Sequence, residues 1–432
     1  MKVANCPALF FCAPASGQGK TTVTAGIARY HRNQGRKVRV FKTGPDYLDP
    51  LILERASGHP VAQLDLWMTG EEHCKTRLHD AAQEADLILV EGVMGMFDGK
   101  PSGADMAAFF GIPVAVVISA RSMAQTFGAL AMGLATFRSD TKIAGVIANH
   151  LGSDRHKDLI VESMPEAVKL LGCIPHAPQM ALPERHLGLV HPHEVDDIDQ
   201  RLDALADLLH QSGLTDLPQN IEFSPGETSD TPPLLKGMRI AIAKDDAFTF
   251  VYADNVNLLE KMGADICWFS PLADSALPEC DAIWLPGGYP ELHHQRLAKN
   301  TPMQKALTAF KESGKRILAE CGGMLYLMQS LTDVQGERSP MMGLMQGDGI
   351  MRDRGGCQGM QYAPMPEGEL RAHAHHRTRC ENTAEPIGHG RRTRHPAPGE
   401  PIYRQEGITA SYLHLYFPSN PKAVAGLFKP LR

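Results

Sequence analysis

Glu320-Cys321-Gly322-Gly323, and about ninety residues later Ser411-Tyr412-Leu413-His414, hold the residue types needed for nucleophilic acyl chemistry. The apolar run Arg316-Ile317-Leu318-Ala319 stops at Cys-Gly-Gly, just before a helical stretch. That order describes a tight strand-to-helix elbow, which pushes the thiol into the open and aims backbone N–H groups at a developing oxyanion. A thiolate is the reactive form of cysteine, and a nearby imidazole and a helix N-terminus are expected to lower its pKa. Most cysteines are simply small buried hydrophobes, so Cys321 draws its meaning from the rest of the chain.

A second chemistry is written near the N-terminus. Ala13-Pro14-Ala15-Ser16-Gly17-Gln18-Gly19-Lys20-Thr21-Thr22 follows one apolar strand and opens a helix. Backbone N–H groups in such a loop cradle phosphates, Lys20 neutralises the outer phosphates, and the Thr21 hydroxyl reaches Mg²⁺. Pro14 stands where the strict phosphate-loop pattern has glycine, so the reading rests on the order strand, loop, helix. Two carboxylates should close a metal site: Asp46, just past the second strand, and Glu91, at the end of Leu87-Ile88-Leu89-Val90-Glu91. A carboxylate after four buried aliphatic residues needs a charged partner, and ligands gather at the carboxyl ends of strands in an open parallel sheet. Lys42, a cation after a buried strand, would face an anion or pair with a carboxylate.

The elements that position these groups alternate. Strands are expected at Ala8–Cys12, Val38–Phe41, Leu87–Val90, Val114–Ile118 and Ile143–Ala148, with helices such as Thr21–Asn33 and Ser122–Arg138 between them. Strands that are apolar on both faces imply a parallel sheet covered on both sides. A second series begins at Arg239–Ala243 and continues through Asp265–Phe269, Ala282–Leu285 and Arg316–Ala319. The predicted plan is a domain over 1–215, a Pro-rich linker over 216–236 and a domain over 237–432, which suits a chain of 432 residues. The stretch Glu381–Glu400, rich in Arg, His, Pro and Gly, reads as an exposed loop. The 43 basic and 49 acidic residues give a net charge of −6, which argues against nucleic-acid binding. Nine scattered cysteines without a CxxC pair fit a reduced, cytoplasmic protein. No apolar run approaches membrane-spanning length, and no leader precedes the first strand.

The chain resembles the cobyrinic acid a,c-diamide synthases, with the related hydrogenobyrinic acid a,c-diamide synthases, over nearly its whole length. The resemblance rests on Ala15–Thr22, on Lys42-Thr43-Gly44-Pro45-Asp46-Tyr47-Leu48-Asp49-Pro50 and on Glu91-Gly92-Val93-Met94-Gly95-Met96-Phe97-Asp98-Gly99. It continues through Pro183-Glu184-Arg185-His186-Leu187-Gly188-Leu189, Leu285-Pro286-Gly287-Gly288-Tyr289-Pro290-Glu291, Ala319–Gly323 and Ala410–His414. It implies an α/β protein in which a P-loop NTPase-like parallel-sheet domain, an amidoligase module, precedes a class I glutamine amidotransferase-like (flavodoxin-like) domain. The implied activity is ATP- and glutamine-dependent amidation of the a and c acetate groups of a corrinoid, cobyrinic or hydrogenobyrinic acid, through an acyl phosphate.

By that resemblance Gly17, Gly19, Lys20, Thr21 and Thr22 hold ATP, while Thr21, Asp46 and Glu91 hold Mg²⁺. Lys42, Tyr47, Leu48, Arg185 and His186 are candidates for contacts with the corrinoid, with a loop-anchoring role as the competing reading for Arg185 and His186. Cys321 attacks L-glutamine, His414 activates it, and backbone N–H groups near Gly288 and Gly322 form the oxyanion hole. Two positions depart from the pattern. Tyr416 stands where common class I glutaminases place a glutamate two residues after the histidine, leaving the third member of the site open. Arg371-Ala372-His373-Ala374-His375-His376 stands for Arg-Gly-His-Glu-Phe-His, and these histidines are read as loop anchors without zinc spacing. Homodimerisation is left open. The competing functions are a,c-diamidation of nickel-sirohydrochlorin and a ParA/MinD-like ATPase switch with a non-catalytic second domain; intact Cys321 and His414 argue against the switch.

Overall fold

The computed structural model describes residues 2–44, 49–180, 182, 184–185, 188–189, 195–227, 230–353 and 356–430. The chain forms two compact units, Met1–Thr228 and Ser229–Arg432.

In the first unit β1 (Ala4–Cys12), β2 (Val38–Thr43), β3 (Ala62–Leu64), β4 (Leu87–Glu91), β5 (Val114–Ser119), β6 (Ile143–Leu151) and β7 (Leu170–Pro175) lie in the order β3-β2-β4-β1-β5-β6-β7. Neighbours on this path run parallel. Alternate residues of one strand serve two cores. Ile88 and Val90 join Val114 and Val116 on one side, while Leu87 and Leu89 join Ala115 and Val117 on the other. That double burial is why the strands read as unbroken apolar runs rather than alternating ones. Each such side chain contributes about 1.5–3 kcal/mol of transfer free energy, enough together to carry one buried carboxylate at the strand's end. β1 starts four residues earlier than expected, because Ala4–Pro7 pair antiparallel with Asn220–Phe223. That second strand opens the stretch read as a linker, and Phe223 is buried in the first core.

The helix Lys20–Asn33 packs on the helix Ile198–Gln211. Gly26 permits the contact, since a Cβ there would lie 2.5 Å from Leu209 Cδ1. Further along, Arg29 forks onto Asp203 through Nε and Nη2, at 2.6 and 2.9 Å. The helix that carries the phosphate-loop lysine is thereby fixed along its length.

In the second unit the strands Asp265–Phe269, Arg239–Ala243, Ala282–Leu285, Arg316–Glu320 and Ile408–Ser411 are parallel neighbours in that order. The sheet then continues antiparallel through Pro398–Gln405, Gly388–Arg392, Cys357–Met365, Gly368–His376 and Leu413–Tyr416. Two expectations are corrected here. Glu381–Glu400 is an exposed stretch interrupted by strand, since Gly388–Arg392 and the start of Pro398–Gln405 pair within it, and His373–His376 ends a strand instead of anchoring a loop. An antiparallel sheet needs to bury only one face. Leu370, Ala372 and Ala374 supply an apolar face, while the interleaved His373 is buried on the other, opposite His414.

Candidate active sites

The phosphate loop leaves β1 at Cys12 and enters its helix through Gly19, whose φ of 90° lies in the left-handed region. Glycine is required there twice over, because a Cβ would also sit 2.3 Å from Asn149 Nδ2. The Asn149 amide donates to Gln18 O at 2.9 Å, and Ser119 N donates to Gln18 Oε1 at 2.8 Å. The ends of β5 and β6 therefore hold the loop in shape, a role the sequence reading did not assign to Gln18, Ser119 or Asn149. Gly17 also has positive φ, at 75°. Thr21 and Thr22 are half-buried on the first helical turn.

Around the loop the structure brings together two cations and two carboxylates. Lys42 is buried at the end of β2, with Nζ 2.5 Å from Glu91 Oε1 and 2.7 Å from Asp49 Oδ2. The Thr21 hydroxyl donates to Glu91 Oε1 at 2.8 Å and lies 3.2 Å from Asp49 Oδ2. Lys20 Nζ donates to Met94 O at 2.9 Å. Burial first, and then the nearby Lys42, pull its pKa below the ordinary lysine value. Asp49 was missed by the sequence reading, although it stands in the same string as Asp46; its signal was a second carboxylate just inside a helix, three residues on. Asp46, Tyr47, Leu48 and His186 lie outside the described residues. Arg185 is described in its backbone alone, where Glu184–Arg185 pairs antiparallel with Gly188–Leu189.

Fitness for Mg²⁺ can be tested on Glu91. Its carboxylate is fully buried, one oxygen is shared by Lys42 and Thr21, and Oε2 has no hydrogen-bond partner. A buried carboxylate oxygen beside a hydroxyl and a second carboxylate is the hard-oxygen donor set that Mg²⁺ takes with phosphate.

The second site lies at the carboxyl ends of the second unit's parallel strands. Cys321 follows Glu320 directly and adopts φ 45° and ψ −104°, a strained geometry for a non-glycine residue that costs about 1–3 kcal/mol. Its N–H donates to Ser411 O at 2.8 Å, extending the ladder by one step. The loop Pro286–Tyr289 joins the two halves of the site. A Cβ on Gly287 would lie 2.3 Å from His414 Cε1, and one on Gly322 would lie 3.0 Å from Gly288 N. His414 and the Cys321–Gly322 elbow therefore flank the same dipeptide. Tyr416 donates its hydroxyl to Asp254 Oδ2 at 2.9 Å. His373 is the cross-strand partner of His414, and His376 stacks on Tyr412 with ring centroids 3.6 Å apart.

The electrostatics differ from expectation. Burial pushes the Cys321 thiol up rather than down, helped by Glu291, Glu400 and Glu320. Burial also pushes His414 down to about 3, with His375 and His376 adding to it. The resting pair is thus a neutral thiol and a neutral imidazole. Both shifts favour the uncharged thiol and imidazole over a standing thiolate.

Two carboxyls nearby are raised by burial, Glu320 to about 8 and Glu291 to about 7, from 4.5. Between pH 4.5 and 8 the folded state then binds protons that the unfolded state has released. Their contribution to stability is greatest below pH 4.5 and is lost as pH rises through 7 and 8. We expect the calorimetric midpoint of the second unit to fall from pH 5 to pH 8.5, and the slope to be shallower in Glu320→Gln. An equal slope in both proteins would remove Glu320 from this account.

Residues 9–190 match the CobQ/CobB/MinD/ParA nucleotide binding domain family, and residues 239–422 match the CobB/CobQ-like glutamine amidotransferase domain family. A hydrogenobyrinate a,c-diamide synthase of Stutzerimonas stutzeri is 52% identical over 99% of this chain and 99% of its own. One from Pseudomonas aeruginosa is 50% identical over 100% of this chain and 99% of its own. A cobyrinate a,c-diamide synthase of Herminiimonas arsenicoxydans is 47% identical over 96% and 95% respectively. No helix among the described residues is long and apolar enough to cross a membrane.

Proposed function

The chain belongs to the cobyrinate and hydrogenobyrinate a,c-diamide synthase family, and from that membership we propose how its two sites divide the work. The protein is a glutamine-hydrolysing ligase of cobalamin biosynthesis that amidates the a and c carboxylates of a corrinoid, with ATP and glutamine as co-substrates. Its preferred corrinoid is the cobalt-free hydrogenobyrinic acid, the substrate class named for the relatives at 52% and 50% identity.

A carboxylate is a poor acceptor for ammonia because oxide is a poor leaving group. In the first unit the substrate carboxylate oxygen attacks the γ-phosphoryl group of ATP, giving an acyl phosphate and ADP. Ammonia then attacks the acyl carbon, and phosphate leaves with the bond that held it. The loop from Gly17 to Thr22 binds the nucleotide phosphates, with Lys20 beside them. Lys42, held between Glu91 and Asp49, steadies the charge that builds on the transferring group. Glu91 Oε2 and Thr21 would hold Mg²⁺, together with Asp46. When bound, the ion would neutralise phosphate charge.

In the second unit His414 takes the Cys321 proton as sulfur attacks the glutamine carboxamide, and returns it to the departing nitrogen. The thioester left behind is hydrolysed to glutamate. N–H groups of Gly288 and Gly322, which lie on either side of the elbow, are the donors proposed for the oxyanion.

The observation that carries this reading is the Lys42–Glu91–Asp49–Thr21 cluster beside the phosphate loop, in a chain that also holds the Cys321 elbow facing His414. Its test is mass spectrometry of products after incubation with ATP, Mg²⁺, glutamine and each corrinoid in turn. Hydrogenobyrinic acid should gain two amide groups, with cobyrinic acid and nickel-sirohydrochlorin turned over at least about tenfold more slowly. Equal or faster turnover of either would overturn the assignment of the substrate, and a single added amide would overturn the a,c assignment.

A further inference from the structure

The glutamate usual two residues after the catalytic histidine is absent, yet a carboxylate is present at the base of the site. Glu320 ends the strand Arg316–Glu320 and is 2% exposed. Its Oε1 accepts the N–H of Leu415, the residue after His414, at 3.0 Å, and its Oε2 accepts Trp284 Nε1 at 3.2 Å. One side chain therefore ties together the strand leading to the nucleophile, the neighbouring strand Ala282–Leu285 and the strand that carries the histidine. The Leu415 peptide is held from its other end too, since Asn255 Nδ2 donates to Leu415 O at 2.8 Å.

We propose that Glu320 is the positioning residue of the Cys321–His414 pair, its carboxylate fixing the His414 main chain through Leu415 N–H and supplying the negative charge that steadies the imidazolium formed when sulfur attacks. This rests on the reading of Cys321 and His414 given above. In Ser-His-Asp sites a carboxylate does both tasks by gripping the imidazole itself. Here the grip is on the peptide beside it, and the charge comes from the residue just before the nucleophile.

Other charged and titratable groups surround the pair. Glu291 stands on the turn Pro290–Leu292, and Glu400 comes from the strand Pro398–Gln405, where it lies 3.2 Å from His376 Nε2. His373, His375 and His376 come from Gly368–His376, while Tyr412 and Cys380 meet each other at 3.0 Å. Glu291 and Glu400 share with Glu320 an electrostatic reach to the sulfur. Glu320 adds the bond to the histidine's own strand. An ionised Glu320 disfavours a lone thiolate at Cys321; that cost is offset once the proton has moved to His414, so its benefit appears only as the proton moves.

The test uses the full-length enzyme and reads glutamine-dependent and ammonium-dependent synthesis side by side across pH 6–10. Because burial lifts the Glu320 carboxyl to about 8, wild-type kcat/KM for glutamine should climb through that pH as the charge appears. Glu320→Gln keeps an oxygen for Leu415 N–H but loses the charge. It should lower glutamine-dependent kcat by about 30–100-fold at pH 9–10, where the wild-type carboxylate is ionised, change KM less than threefold, and abolish the climb near pH 8. Ammonium-dependent synthesis should stay at the wild-type rate. Glu320→Ala, which loses both tasks, should fall a further tenfold, and Glu320→Asp should recover at least tenfold over alanine together with the rising limb. A glutamine variant within threefold of wild type, or one with an unchanged pH profile, would overturn the proposal. So would parallel loss of ammonium-dependent synthesis in all three variants, which marks a merely structural role. Cys321→Ala run alongside keeps the two readings apart. If it retained glutamine-dependent synthesis, the site itself would be misassigned, whatever Glu320 does.

Discussion

Cys321→Ala is expected to reduce glutamine-dependent amidation by roughly 10⁴-fold or more, while synthesis from added ammonium salt continues at the wild-type rate. The first half follows from the elbow: sulfur is the atom that bonds to the glutamine carbon, and no neighbour offers a substitute nucleophile at that φ and ψ. The second half follows from the division of the chain into two units, each with its own core. The phosphate loop, Lys42, Asp49 and Glu91 all belong to the first unit. Alanine should be well tolerated at the elbow, because it removes one buried sulfur and leaves no polar group unpaired, a cost of at most a few kcal/mol. Rates with glutamine and with ammonium, taken on the same preparation at high pH where free ammonia is plentiful, decide the matter. Loss of both activities together would mean that Cys321 does not serve ammonia release alone.

How much of this was legible beforehand varies with the kind of strand. Arg239–Ala243 and Ala282–Leu285 have the boundaries read from the sequence, because a strand buried on both faces writes its length as an apolar run; Asp265–Phe269 matches too, although it is a half-exposed edge strand. The five strands from Cys357 to Tyr416 that extend the sheet were not read as such. They are antiparallel, and most mix exposed polar with buried apolar positions, so no unbroken apolar run marks them; Leu413–Tyr416 is buried but only four residues long. The same contrast holds for the site residues. Glu91 was legible because a carboxylate closing four buried aliphatics demands a partner, and Lys42 is that partner. Glu320 closes Arg316-Ile317-Leu318-Ala319 in the same way, but its partners Trp284 and Leu415 are distant in sequence, so no local pattern marks its role. Asp49 was hidden differently. Lys42 lies near the end of a strand and Asp49 opens a helix, and no local pattern states that their side chains meet.

Glu91→Gln should separate the two things Glu91 does. Its carboxylate neutralises a buried lysine, and its other oxygen is free for a metal. Removing one member of a buried ion pair costs about 3–5 kcal/mol. Lys42 keeps Asp49 at 2.7 Å, so the lower end applies and the first unit should melt about 6–12 °C earlier. Synthesis should fall about 10²–10³-fold with glutamine and with ammonium alike, since charge stabilisation of phosphoryl transfer is lost. Glutaminase turnover, which belongs to the second unit, should persist. Lys42→Met combined with Glu91→Gln then removes the partly orphaned cation. That double variant should regain most of the lost melting temperature, because apolar replacement of a buried pair is often neutral, yet remain as inactive as the single variant. Recovery of synthesis along with stability would show that Glu91 acts only as a structural counter-charge and would strike it from the metal site. Activity that stays low in a restored fold means that the Lys42–Glu91 pair does chemistry beyond holding the fold together.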